Sequence, residues 1–462
     1  MKKFTKILLI GCLLVMVSCN NWLDVDPKSQ VKDKDLFASE MGFKEALSGV
    51  YSLMTKEGLY GKELTFGWLG VLGQEWTSVP YNYEDDQKYD FENAASEVRI
   101  DSVWTGLYNA IANANKLLKE LEGKENLFSG DNYSIIKGEV LALRAYLHFD
   151  LLRIFGASCA VGMERIAIPY VTEYAPTIFP QEKVGDFVGK VLKDLQDAAK
   201  CLENDPILTG RTVSEIDDNG YLMNRQVHLN YYAVKGLMAR VYLYKGDYAN
   251  AEVCAKEVIG SGCFEWVKQE NLTNESVADL TFSTEHLFAL NIVTLGNIVD
   301  KYLDGGNNSF ALEESRLSEY YGSSYDYRYL YLFKTGVGMS NTLRYLKKYD
   351  QLESVSWAQS YRNKLPLICL PEMYYILAEC RYHSSGDVLE PLNEVCRHRG
   401  VADLSEADLS AFETLLLAEY RKEVIGGGQL FFQYKRLNRS VVPGTDVDLA
   451  GEGRYVIPMP KE

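Results

Sequence analysis

The stretch 229–259, LNYYAVKGLMARVYLYKGDYANAEVCAKEVI, decides the fold. Ala233, Gly236, Leu237, Arg240, Val241 and Leu243 recur at helical spacing and stop at Gly246-Asp247-Tyr248. Ala251, Ala255 and Val258 then open a second apolar face. Small residues at Gly236, Ala239, Ala251 and Ala255 predict two antiparallel helices in close approach, similar to the tetratricopeptide pattern of alternating small and large positions. The same periodicity predicts helices over Phe37–Leu53, Asp101–Leu121, Tyr133–Phe155 and Glu182–Leu202. Glu372–His383 with Val388–His398, then Leu409–Val424, follow near the C-terminus. The chain reads as mainly α.

Between Cys263 and Pro366 the pattern changes. Gly305-Gly306 and Gly322-Ser323-Ser324 are turn signals, and tyrosines cluster at 320, 321, 325, 327, 329 and 331. Residues 263–366 are expected to be a loop-rich insertion with short strands on the helical scaffold. A second irregular stretch, Gly58–Glu97, carries Trp68, Trp76, Tyr81, Tyr83 and Tyr89. Loops on a rigid frame are where binding residues concentrate. Trp76, Tyr81 and Tyr83 are therefore expected to form an aromatic ligand platform on a loop leaving the core; the alternative is that Trp76 folds back and packs against the scaffold. The scattered prolines mark no linker, so 37–462 reads as a single helical domain.

The N-terminus has a different logic. Lys2, Lys3 and Lys6 precede an apolar run from Ile7 to Val17, followed by Ser18-Cys19. This is a secretory signal with a small residue before the cut, and its apolar run is shorter than the about 20 residues of a permanent span. Residues 1–18 are expected to be a lipoprotein signal peptide, with Met16 where leucine is usual. Cys19 is then the acylated residue and 19–36 a tether. Each buried CH₂ of the acyl chains adds ~0.8 kcal/mol to anchoring.

The formal charge of -16 argues against nucleic-acid binding, which needs a basic face. The cysteines after Cys19 show neither C-x-x-C nor zinc spacing and leave disulfide pairing open. Phosphate-loop, dinucleotide and nucleophile-elbow motifs are missing from the sequence, as is H-E-x-x-H. His148 lies on an apolar helix and reads as a packed residue. Gly426-Gly427-Gly428 reads as a helix stop and tight turn. No catalytic residue, cofactor or metal ligand is assigned.

Several segments jointly resemble the SusD/RagB family of outer-membrane nutrient-binding lipoproteins. They are Cys19–Pro27, Val103–Asn115, Gly138–Phe149 continuing to Phe155-Gly156, Ala233–Ala251, Glu419–Leu437 and Ile457–Glu462. Gln433-Tyr434 departs from the family's usual acidic residue and leucine. The resemblance implies about four tetratricopeptide-like helix pairs forming a SusD-like scaffold with a loop-rich face. It also implies a lipid-anchored protein of the cell outer membrane, facing the exterior. Such a protein captures oligosaccharides and delivers them to a SusC-like TonB-dependent transporter. Peptide capture, as in RagB-like proteins, is the alternative, and a surface glycosidase the least favoured. Arg144, on an otherwise apolar helix, is expected to be paired internally.

Overall fold

The computed structural model describes residues 34–211, 213–214, 220–274, 277–306, 308–336, 342–351 and 361–461. The signal peptide, Cys19 and almost all of the tether lie outside the described residues.

Eight helices run in pairs. They are α1 (Glu40–Met54), α2 (Ala94–Leu121), α3 (Asn132–Phe155), α4 (Val184–Cys201), α5 (Tyr231–Lys245) and α6 (Tyr248–Ile259). Beyond the irregular insertion and its helices α7 (Leu295–Tyr302) and α8 (Glu314–Tyr321) come α9 (Leu370–His383) and α10 (Leu389–His398). Each helix packs on the next, and α9 packs directly on α6, so four pairs form one continuous stack. Then α11 (Phe412–Val424) and α12 (Leu430–Arg436) fold back over the last pair and the segment Trp68–Leu72.

Local chemistry sets these boundaries. Asn230 caps α5 through its Oδ1, which accepts from the Ala233 amide at 2.9 Å. Gly246 ends that helix in the left-handed conformation at φ +80, and Asp247 caps α6 from the next position. Helix α2 starts two turns earlier than its apolar stripe, because Asn93 caps it at the Ser96 amide, 2.9 Å away. A Cβ at Gly138 would stand 2.7 Å from Leu202 and 3.0 Å from the Ala198 carbonyl, so this glycine sets how closely α3 and α4 approach. Gly236 was expected at the seam between α5 and α6. It lies instead against Leu287 and Ile368, where a Cβ would be 2.8 and 3.2 Å away, and so seats a strand pair on α5.

That pair is β3 (His286–Asn291) with β7 (Lys364–Cys369), antiparallel, with Leu290 opposite Leu365. Two further short ladders are β1 (Ile166–Pro169) with β2 (Gln181–Lys183), and the order β4–β6–β5 from Leu312–Glu313, Leu343–Leu346 and Phe333–Thr335. The stretch 263–366 thus combines loops and short strands with the helices α7 and α8. One apolar cluster runs from Phe37 to Ile457, and a smaller one lies among α9, α10 and α11. The seven cysteines after Cys19 are all free thiols, and Cys159, Cys254, Cys380 and Cys396 are buried.

Arg144 ties three helices. Its Nε and Nη2 each donate to Asp194 of α4 at 2.7 Å, and Nη1 donates to Asn115 of α2 at 3.0 Å. His148, one turn on, is fully buried and stacked on Tyr170 at 4.0 Å. Its Nε2 accepts from the Val171 amide and its Nδ1 lies 2.9 Å from the Arg144 carbonyl. Burial depresses its pKa to about 3, so it is a neutral packing residue.

The two irregular stretches meet around Phe310. Trp76, Tyr83 and Phe66 place their rings 6.0, 5.1 and 5.9 Å from it. Ser78 and Ala311 form an antiparallel bridge beside this cluster, and the Glu313 amide donates to the Thr77 hydroxyl at 2.7 Å.

Two substitutions test these packings. Arg144→Ala strands the Asp194 carboxylate and should cost about 3–5 kcal/mol in chemical denaturation, whereas joint replacement by apolar residues of similar volume should cost much less. Trp76→Ala should destabilise by about 3–5 kcal/mol as a core deletion. A melting temperature unchanged from wild type in either single variant would show that the contact contributes nothing to stability.

Candidate functional site

The expected platform of Trp76, Tyr81 and Tyr83 does not exist as a shared exposed face. Trp76 is 2% exposed and its indole Nε1 donates to the Phe66 carbonyl at 2.7 Å. Tyr83 is 1% exposed. Its hydroxyl donates to Glu63 at 2.8 Å and the Arg99 guanidinium lies 3.8 Å over its ring. Both rings are spent on joining the two irregular stretches, which gives a loop tryptophan the burial it would lack on an isolated loop. Tyr81 alone keeps the expected position, with 86% of its surface exposed.

The second irregular stretch carries an exposed ring of its own. Tyr325 is 75% exposed, between the end of α8 and the short helix Tyr327–Tyr331. Tyr320, Tyr327, Tyr329 and Tyr331 are half-buried and Tyr321 is buried. The Tyr329 hydroxyl donates to Glu314 at 2.8 Å and the Tyr321 hydroxyl to the Lys422 carbonyl at 3.0 Å, which fixes this edge against α11. Ser78 and Ala311 thus pair the segments that lead on to Tyr81 and, through β4 and α8, to Tyr325.

A buried ionic network holds the segment from below. Arg328 donates to both oxygens of Asp326 at 2.9 and 2.7 Å, to Glu419 at 3.1 Å and to Glu423 at 3.0 Å. Arg399, at the end of α10, donates to Glu423 at 2.7 and 3.0 Å and to both oxygens of Glu285 at 3.0 and 2.6 Å. Burial raises the pKa of the Glu423 carboxyl, but Arg399 and Arg328 outweigh it and hold the group well below the usual carboxylate range. Glu423 is one of the residues that carried the family resemblance; Arg328 and Arg399 had no local signal in the sequence. The turn after α11 is built on the same floor. The Gly426 amide donates to Glu75 at 2.8 Å, and burial pushes the Glu75 carboxyl up to about 8.

These are anchoring roles: each charged group has a charged or hydrogen-bonding partner that fixes a loop. What the face offers to a ligand is exposed rings on a stiff base. Among the described residues no helix is long and apolar enough to cross a membrane.

Residues 21–243 match the SusD-like family described as "Starch-binding associating with outer membrane". A SusD-like protein of Formosa agariphila is 25% identical over 269 residues, covering 57% of this chain and 47% of its own length. Another from the same organism is 26% identical over 167 residues, 34% of this chain and 30% of its own length. The chain thus spans about half or less of the length of the curated relatives it matches. Among solved structures, a SusD superfamily protein from Bacteroides thetaiotaomicron superposes with a TM-score of 0.72 at 20% identity, covering 92% of this chain and 97% of that one. Surface glycan-binding protein A from Bacteroides fluxus gives 0.67 at 17%, covering 92% and 96%. At these identities the likeness is one of fold, and it covers 92% of this chain. The family match over residues 21–243, just under half of the chain, and the shared fold over nearly all of it make SusD-like proteins the family this chain resembles.

Proposed function

We propose that this protein is a lipid-anchored binding protein at the outer surface of the cell, which captures oligosaccharides and delivers them to a SusC-like TonB-dependent transporter. The observation that carries the reading is the pair of exposed rings, Tyr81 and Tyr325, on segments joined over a rigid aromatic and ionic base. Sugar rings present C–H faces that stack on tyrosine, while the phenol hydroxyl meets the sugar's polar edge. A stiff base keeps the entropic cost of capture low, since little of the face must be ordered on binding. The family's description as starch-binding and outer-membrane-associating supports the same reading, as does the likeness to a surface glycan-binding protein. Anchoring through Cys19 explains how a chain of this kind stays at the surface, and delivery to a transporter is what the family implies for it.

Two experiments test the proposal. The Cys19→Ala protein should move from the detergent phase to the aqueous phase in a detergent partition assay. Mass spectrometry of the membrane-derived protein finding an unacylated Cys19 would remove the anchor from the reading. The Cys19→Ala protein should also bind members of a soluble polysaccharide panel in affinity electrophoresis. Tyr81→Ala and Tyr325→Ala should each weaken that binding about 2- to 12-fold, the equivalent of roughly 0.5–1.5 kcal/mol per lost stacking contact, with the melting temperature unchanged. Retention of peptides but of no glycan would replace glycan capture with peptide capture, and unaltered binding by both variants would remove these rings from the site.

A further inference from the structure

A cavity of about 700 Å³, open to solvent, lies between α1, the segment Val227-His228, the end of β3 and the start of α7. None of the exposed rings of the aromatic face lines it. At its edge stands a carboxylate–imidazole pair with an unusual degree of support.

Glu139, on α3, is fully buried and gathers four donors. Its Oε1 accepts from Arg225 Nη1 at 2.6 Å and from the Tyr221 hydroxyl at 3.2 Å. Its Oε2 accepts from the Tyr51 hydroxyl at 2.9 Å and faces His228 Nδ1 at 2.9 Å. Burial alone would raise the pKa of this carboxyl, but Arg225 and His228 hold it at about 2. An ionised carboxylate only accepts, so Nδ1 of His228 carries the proton. The ring is wedged edge-on between Tyr51 and Tyr221, with centroids 5.4 and 5.6 Å away at 82° and 77°, which fixes its plane. Its remaining nitrogen, Nε2, makes no hydrogen bond among the described residues, and the side chain is 16% exposed where it lines the cavity.

Arg225 and the two phenols already supply three of the four hydrogen bonds that Glu139 accepts. What the pairing does is fix the tautomer and the plane of the ring, leaving a lone pair directed outward. An unprotonated Nε2 accepts a hydrogen bond, and so pairs with a hydroxyl rather than with a carboxylate or phosphate. Lys56 and Ser52 supply donors on the α1 side, and Val227, Leu290 and Ile298 give apolar wall. An oriented acceptor, nearby donors and an apolar wall are complementary to a hydroxylated ring with a C–H face. The volume falls in the range of about 300–1,000 Å³ usual for small-molecule sites.

We propose that this cavity is a second ligand site of the protein, taking a neutral saccharide of one or two rings, with His228 Nε2 accepting from a ring hydroxyl. It uses no residue of the Tyr81–Tyr325 face and stands or falls independently of that face.

Diethyl pyrocarbonate acylates the unprotonated imidazole nitrogen, so the full-length protein reports directly on Nε2. The extent of carbethoxylation at His228, His383 and His398 is read by peptide mass spectrometry, alone and with glucose, galactose, mannose, xylose, maltose, cellobiose, glucuronate or acetate. His228 should react in the free protein, and at least one neutral sugar should slow its modification severalfold while His383 is unaffected. Ser52→Trp, which fills the cavity from an exposed position on α1, should abolish the protection, and Tyr81→Ala should retain it. If Ser52→Trp lowers the melting temperature, Val293→Trp on the other lip replaces it. The proposal is overturned if His228 is unreactive in the free protein, if no neutral sugar protects it, if only glucuronate or acetate does, or if the filled variant is still protected.

Discussion

Glu423 holds two guanidinium groups at once, and the arrangement of the irregular half of the molecule depends on it. Arg399 arrives from the last helix pair, Arg328 from the tyrosine-rich loop, and Glu285 from the approach to β3. Arg328 and Arg399 thus meet on one buried carboxylate, and Glu285 joins them through Arg399. Burying charges is expensive, and a well-packed apolar cluster would stabilise at least as well. Hydrophobic packing, however, is non-directional, whereas a bidentate arginine accepts its partner in one plane and one register. A segment without regular secondary structure has no ladder of backbone bonds to set its position. Here Arg328 does so: its two-pronged pair is with Asp326 of its own segment, and its single contacts with Glu419 and Glu423 hold that segment against α11.

The helical stack was legible in the sequence and the assembly of its loops was not. Helix periodicity and caps are local, so the residues from Ala233 to Val258 report both helices and the turn at Gly246 without reference to the rest of the chain. The start of α2 is hard to see in the sequence, because Ala94 and Ser96 add nothing to the apolar stripe and only the cap at Asn93 marks it. Gly236 was identified as a close approach, but a missing Cβ does not say which neighbour comes near. Trp76 shows the harder limit. Its local surroundings read as a loop leaving the core. Its burial is decided by Phe310 and the Phe66 carbonyl, partners that no window around residue 76 contains. The same holds for Arg328 and Arg399, whose carboxylate partners lie mostly in other segments.

The segments that carried the family resemblance have structural work in this chain. Gly138 sets a helix spacing, Arg144 links three helices, and His148 is neutral packing. Arg436 makes a two-pronged pair with Glu379 at 2.6 and 2.8 Å. The Ile457 amide donates to the Ile154 carbonyl at 3.2 Å, which pins the C-terminal segment onto the end of α3. In the departure at Gln433-Tyr434, Gln433 accepts from Arg436 at 2.9 Å and Tyr434 from Arg421. The departing residues thus still serve the arginines of this region. Residues of this kind fix the frame whatever the ligand, which is why they identify the scaffold and leave specificity to the loops.

Because α9 packs directly on α6, the chain leaves the stack at Ile259 and rejoins it at Leu370, an excursion of about 110 residues that interrupts no helix–helix contact. The entropy of closing such a loop grows only with the logarithm of its length. Adding a dozen residues to it changes the cost by about 0.1 kcal/mol. An equal insertion within α3 would break the Arg144 tie at several kcal/mol. Added length is therefore almost free in the turns of the excursion that carry no buried tie, and severely penalised in the stack. Selection for new ligands can act on this architecture without first solving the folding problem again.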